Sequence, residues 1–136
     1  MKSESSSANL KKSILAILAG FVFTVLTHLG TDAVMKSLGV LPKAGEPFTD
    51  ALAALALGYR LVWALIGNII TARLAPNRPL FHCMLGAGIG ILLGTLGTIA
   101  TWNRGPEFGP HWYPIALILT AVPIAWLGAK IANPDA

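Results

Sequence analysis

The chain has 136 residues, 54% hydrophobic and 12% charged, with a formal net charge of +4. A soluble domain of this length carries about a quarter charged residues; here the deficit comes from long uncharged runs, which points to a membrane protein. Apart from Arg60 the basic residues lie at the edges of those runs, without the clustered stripe that nucleic-acid binding needs, and the single cysteine, Cys83, leaves no intrachain disulfide or Cys/His zinc pattern.

The first residues, MKSESSSANLKK, read as a short disordered tail over 1–11. They also resemble the charged start of a signal peptide. No small-residue cleavage site follows, and the apolar pattern continues through Ala33, Val34 and Met35, so a retained helix is expected. A single transmembrane domain then occupies 12–136, with helices over about 13–38, 48–74, 80–102 and 112–131. Each segment reaches the roughly 20 residues that a helix needs to cross the hydrocarbon core. Proline and glycine punctuate the junctions, in LPKAGEP, APNRP and NRGPEFGPH. Open strand edges do not survive in lipid and no alternation is seen, so the fold expected is all-α, four transmembrane helices in an antiparallel bundle.

Orientation follows from the Lys and Arg of the short flanks. With the N-terminus inside, six lie inside (Lys2, Lys11, Lys12, Arg73, Arg78, Lys130) and three outside (Lys36, Lys43, Arg104). Both termini are therefore expected to be cytoplasmic. Trp102, Trp112 and Tyr113 fall where an outer aromatic belt would sit.

The first helix carries His28 and Asp32 one turn apart on one face, on a ridge with Ala16, Gly20 and Thr24. The second carries Arg60 about 18 Å along its axis, on a ridge with Ala56, Ala64, Asn68 and Ala72. An arginine at the centre of a membrane costs at least about 2.5 kcal/mol, so it must face protein or water and find a partner. Helical side chains lean toward their own N-terminus, so in antiparallel neighbours Arg60 and Asp32 lean toward each other. The expected cluster is His28, Asp32 and Arg60, with Asn68 extending it inward. Two readings of it stand open: a buried ion pair that fixes helix register, or a pocket for a small polar solute, an anion or a proton.

The third helix contains Gly86, Gly90 and Gly94 in a GxxxGxxxG run, which is expected to bring helix backbones together inside the bundle, with a homodimer seam as the alternative. Cys83 reads as a small apolar residue near a helix end, and His82 as an interfacial histidine. A metal site from His111, Glu107 and Asp32 lacks tight ligand spacing, so no metal and no cofactor are expected. No P-loop, GxSxG or HExxH sequence occurs, and with no nucleophile constellation the chain reads as a non-enzyme.

The stretches HLGTD, ALGYRLVWALIGNIITARLAPNRP, LGTLGTIATWN and HWYPIALI resemble small uncharacterised bacterial inner-membrane proteins with four predicted transmembrane helices. The resemblance implies a multi-pass protein of the bacterial inner membrane and carries no substrate or catalytic residue. Small multidrug exporters share the size and helix count, but their membrane-embedded glutamate in the first helix has no counterpart. The function expected is that of a non-enzymatic interaction or accessory component, with the lipid bilayer and a homo-oligomer or partner membrane protein as its contacts; the alternative is a small oligomeric transporter or channel.

Overall fold

The computed structural model describes residues 2–135, with side chains from residue 4 onward. Four helices carry the fold: α1 (Lys2–Ser37), α2 (Asp50–Leu74), α3 (Pro79–Thr101) and α4 (Trp112–Ala132). All four are long and apolar enough to cross a membrane by length and composition. One boundary differs from expectation. α1 begins at Lys2 and so includes residues 2–11, read from sequence as a tail. No glycine or proline separates that stretch from the apolar run, and a helix already nucleated propagates at little cost per residue.

The breakers act where the sequence places them. Thr49 caps α2, its side chain accepting from the Leu52 amide. Pro79 stands in the first turn of α3, where its missing N–H costs nothing. Arg78, just before it, is the one non-glycine residue with positive φ among the described residues (φ 43°), and its guanidinium lies 4.5 Å from the Phe81 ring. At the opposite end of the bundle the two longer connections meet. The Phe48 amide donates to the Pro106 carbonyl at 3.0 Å, and the Trp112 indole donates to Asp50 Oδ1 at 2.8 Å.

In space α2 packs extensively against α1 and α4, and α4 against α3, while α1 and α3 touch only sparsely. The interior is built from small side chains. Ala16, Ala53, Ala56, Ala125 and Ala129 are buried, while Leu119 and Ile99 are about 70% exposed (70% and 71%). A large apolar surface over a core of alanines is the arrangement expected where the solvent is lipid, because lipid tails give Leu and Ile no reason to turn inward.

Close packing concentrates on glycines other than those of the GxxxGxxxG run. A Cβ at Gly20 would stand 2.5 Å from the Gly67 carbonyl oxygen, and one at Gly67 would stand 2.9 Å from the Gly20 carbonyl oxygen. α1 and α2 therefore cross backbone to backbone at this pair. Gly128 does the same for α4 on α2, where a Cβ would lie 2.6 Å from the Asn68 Cβ. In α3 only Gly94 meets a neighbour, the Ile118 side chain at 3.3 Å; Gly86 and Gly90 have nothing within 4 Å. The expectation that all three pack the bundle is corrected for those two. α4 approaches α3 at Gly94 and, nearer the termini, at Cys83 and Ala87, while α1 stands off from it.

Candidate functional site: a polar cluster above an interhelical cavity

Arg60 lies ten residues into α2, about 15 Å from its start. Its Nη2 donates to Asp32 Oδ2 at 2.5 Å. The second carboxylate oxygen, Oδ1, accepts from the Tyr59 hydroxyl. His28 Nε2 lies 3.0 Å from the Arg60 carbonyl oxygen; a carbonyl can only accept, so Nε2 carries the proton. One helical turn of α1 thus grips the middle of α2 through both the side chain and the main chain of Arg60. Beside it, the Trp63 indole donates to Thr31 Oγ1 at 2.9 Å, and Phe23 packs edge-on against Trp63 at 5.9 Å.

On its other side, Arg60 lies 5.8 Å from the centroid of the Tyr113 ring of α4. Arg60 Nε and the Tyr113 hydroxyl are both buried without a hydrogen-bond partner among the described residues. The Tyr113 ring fills the space between α2 and α4 with Ala53 and Ala56. Packing and cation–π attraction, worth about 0.5–2 kcal/mol, hold it there without its hydroxyl.

The structure thus gathers His28, Asp32 and Arg60. Asn68 stands apart: its Nδ2 donates to the Ala64 carbonyl of its own helix at 2.8 Å, and its backbone carbonyl accepts from the Cys83 thiol at 3.3 Å. Two turns of α2 separate it from the carboxylate, so it extends the polar lining and not the cluster. Tyr59 is the residue missed from sequence. The available signal was its place beside Arg60, since neighbouring positions straddle the face that α1 covers.

His82, in the first turn of α3, is buried between helices: it is 4% exposed, donates from Nδ1 to the Arg78 carbonyl at 3.0 Å, and meets Ser13 Oγ through Nε2 at 2.8 Å. That contact ties the start of α3 to α1. His111 stacks on Trp102 at 3.7 Å and bonds the Trp102 carbonyl at 2.8 Å, so it does not join Glu107 and Asp32. No group of three metal-ligating side chains forms among the described residues.

Between the four helices, on the terminal side of the cluster, lies a cavity of about 440 Å³. His28 and Arg60 stand at one end of it, Thr71 and Cys83 at the other, and Gly86 and Gly90 form part of its wall. All three threonine hydroxyls on this wall are turned onto helix backbone. Thr24 donates to Gly20 at 2.8 Å, Thr120 to Ala116 at 2.7 Å, and Thr71 across the crossing to Ala16 at 3.1 Å. A hydroxyl spent in this way leaves a largely apolar lining.

Fold and site together define a class: a four-helix bundle with membrane-crossing hydropathy, a polar cluster at mid-helix, and a cavity beneath it. Comparison with known protein families, characterised proteins and solved structures finds no match for this chain.

Proposed function

We propose that this is a multi-pass protein of the bacterial inner membrane with both termini cytoplasmic, acting as a non-enzymatic interaction or accessory component. In this reading the Arg60–Asp32 pair is a lock on helix register. The observation that carries it is the engagement of Asp32: each of its oxygens accepts from a donor of α2, one from Tyr59 and one from Arg60. A carboxylate held at both oxygens by adjacent residues of one helix fixes α1 on α2 at a single register. Breaking a buried pair by removing one member leaves an unpaired charge and costs about 3–5 kcal/mol, whereas replacing both by apolar groups is close to neutral.

Arg60→Leu and Asp32→Leu are therefore each expected to destabilise the protein by about 3 kcal/mol or more, and the double variant to recover most of the loss. Unfolding of the reconstituted protein in denaturant measures this. Additive losses in the double variant would overturn the lock.

A second reading, a small oligomeric transporter, draws on the cavity that reaches His28 and Arg60. It predicts that Arg60→Lys folds normally yet loses solute flux into vesicles. Unchanged flux in that variant, or none in the parent protein, removes it.

A further inference from the structure

The two ends of the bundle differ in charge. At the end away from the termini, Lys36, Lys43 and Arg104 are balanced by Glu46, Asp50 and Glu107. At the terminal end, bases stand at the edge of every helix: Lys11 and Lys12 just before Ser13 of α1, Arg73 in the last turn of α2, Arg78 just before α3, and Lys130 in the last turn of α4. Only Asp135 and Glu4, the latter about 10 Å further out along α1, oppose them among the described residues. None of these bases forms an ion pair among the described residues, where the one salt bridge joins Arg60 to Asp32. This face therefore carries uncompensated positive charge.

Two of the bases are brought to one spot by the fold. Ser13 meets His82, and His82 bonds the Arg78 carbonyl, so α1 at Ser13 and the residue that opens α3 are held side by side. Lys12 precedes Ser13 and Arg78 precedes Pro79; both are exposed. The Arg78 guanidinium lies 4.5 Å from the centroid of the Phe81 ring. That ring is 45% exposed, on the outer surface of the bundle. In a membrane-spanning protein this surface meets hydrocarbon, so the contact with Phe81 holds the guanidinium at the rim between lipid and water.

The backbone at Arg78 adds an independent reason. Its φ of 43° and ψ of 60° are left-handed, the conformation with which the short turn between α2 and α3 closes. Glycine takes it without cost and asparagine more readily than other side chains, and Asn77 stands next to it. An arginine at this position gives the turn nothing that those residues lack. It has no carboxylate partner among the described residues. What it supplies is a guanidinium fixed at the rim, across the α1–α3 seam from Lys12.

We infer that Lys12 and Arg78 form a binding site for the phosphate of an anionic phospholipid, with the Phe81 ring against its acyl chains. The inference rests on the membrane reading given above. In the orientation proposed there this face meets the cytoplasmic leaflet, whose anionic lipids attract basic residues at the surface. A guanidinium donates to two phosphate oxygens at once, and the Lys12 ammonium adds a second positive charge. A zwitterionic lipid carries its own cation, which the unpaired bases of this face repel. A free phosphate ion would leave the apolar Phe81 ring uncovered. The site shares no residue with the cavity or with the register lock.

The test is native mass spectrometry of the full-length protein released from nanodiscs of dioleoyl phosphatidylglycerol and dioleoyl phosphatidylcholine in equal parts, two lipids that differ in head group alone. Bound phosphatidylglycerol is expected to exceed phosphatidylcholine. The excess should fall about fivefold in Arg78→Gln and in Lys12→Gln, the loss of one basic contact at the surface. Both variants should unfold in denaturant like the parent protein, which separates loss of the site from loss of the fold. Lys36→Gln and Lys43→Gln, at the balanced end, should leave the excess unchanged. Equal retention of the two lipids, or an excess that survives Arg78→Gln and Lys12→Gln, would overturn the site. An equal fall in the Lys36 and Lys43 variants would reduce it to diffuse attraction. Displacement of the lipid by millimolar inorganic phosphate would make a soluble anion the ligand and overturn the lipid assignment. Nanodiscs offer the same lipids to both faces, so the result does not depend on which face is cytoplasmic. Failure of the protein to enter nanodiscs at all would remove the membrane reading, and the site with it.

Discussion

α1 meets two helices, and the two contacts are made differently. Against α2 it lies backbone to backbone at Gly20 and Gly67, with Thr24 and Thr71 filling the flanks. It is tied there at four levels: Thr71 to the Ala16 carbonyl, His28 to the Arg60 carbonyl, Trp63 to Thr31, and the pair of bonds on Asp32. Against α3 it has one side-chain tie among the described residues, Ser13 with His82, near the terminal end. Above that tie the helices part and the cavity opens. Both seams are rich in glycine. Glycine permits close approach of helices but does not compel it; in lipid the polar ties and the fit of opposing surfaces decide which glycines are used.

The contrast can be broken by substitution. The largest effect belongs to the charged tie, where Arg60→Leu strands Asp32, as argued above. Next is glycine itself. Gly67→Leu forces apart a crossing in which a Cβ already lies 2.9 Å from the Gly20 carbonyl, and should cost about 3 kcal/mol in denaturant unfolding. Gly86→Leu, the same change on the open seam, should stay within about 0.5 kcal/mol of the parent. If the two glycine variants unfold alike, the distinction between the seams fails.

A single neutral tie weighs less. Thr71→Val removes the bond to the Ala16 carbonyl and nearly preserves side-chain volume, so a loss of about 0.6–1.5 kcal/mol is expected in the same measurement. An effect of the opposite sign is expected at the α2–α4 interface. Tyr113→Phe deletes a buried hydroxyl that has no partner among the described residues and keeps the ring beside Arg60. Stability should be unchanged or raised by up to about 1 kcal/mol; a loss above that value would show that the hydroxyl does have a bonding role.

Much of the bundle was readable in the residues. Hydropathy and punctuation set four helices within two residues of the ends found for α2, α3 and α4. The lean of helical side chains, with the cost of an isolated charge in an apolar run, was enough to pair Arg60 with Asp32 and to place His28 beside them. Both arguments rest on local geometry and single-residue energetics, which a sequence carries in full. Tyr59 was less legible, because whether it faces α1 depends on how α2 is rotated. Asn68 was legible only in part: it lines the same cavity as His28 and Arg60, but its amide bonds the Ala64 carbonyl of its own helix, and nothing in the pattern says that it does.

The GxxxGxxxG run shows the limit most plainly. Its spacing put Gly86, Gly90 and Gly94 on one stripe of α3, as it must. Whether that stripe is covered depends on where α1 is held, and α1 is held by α2, through residues remote from the stripe. Composition and period thus determined the number of helices, their lengths and the charge pair that must be hidden. Tertiary structure alone decided which small-residue faces close and which one stays open beside a cavity. Helix packing is a competition among surfaces, and its outcome belongs to the set and not to any one segment.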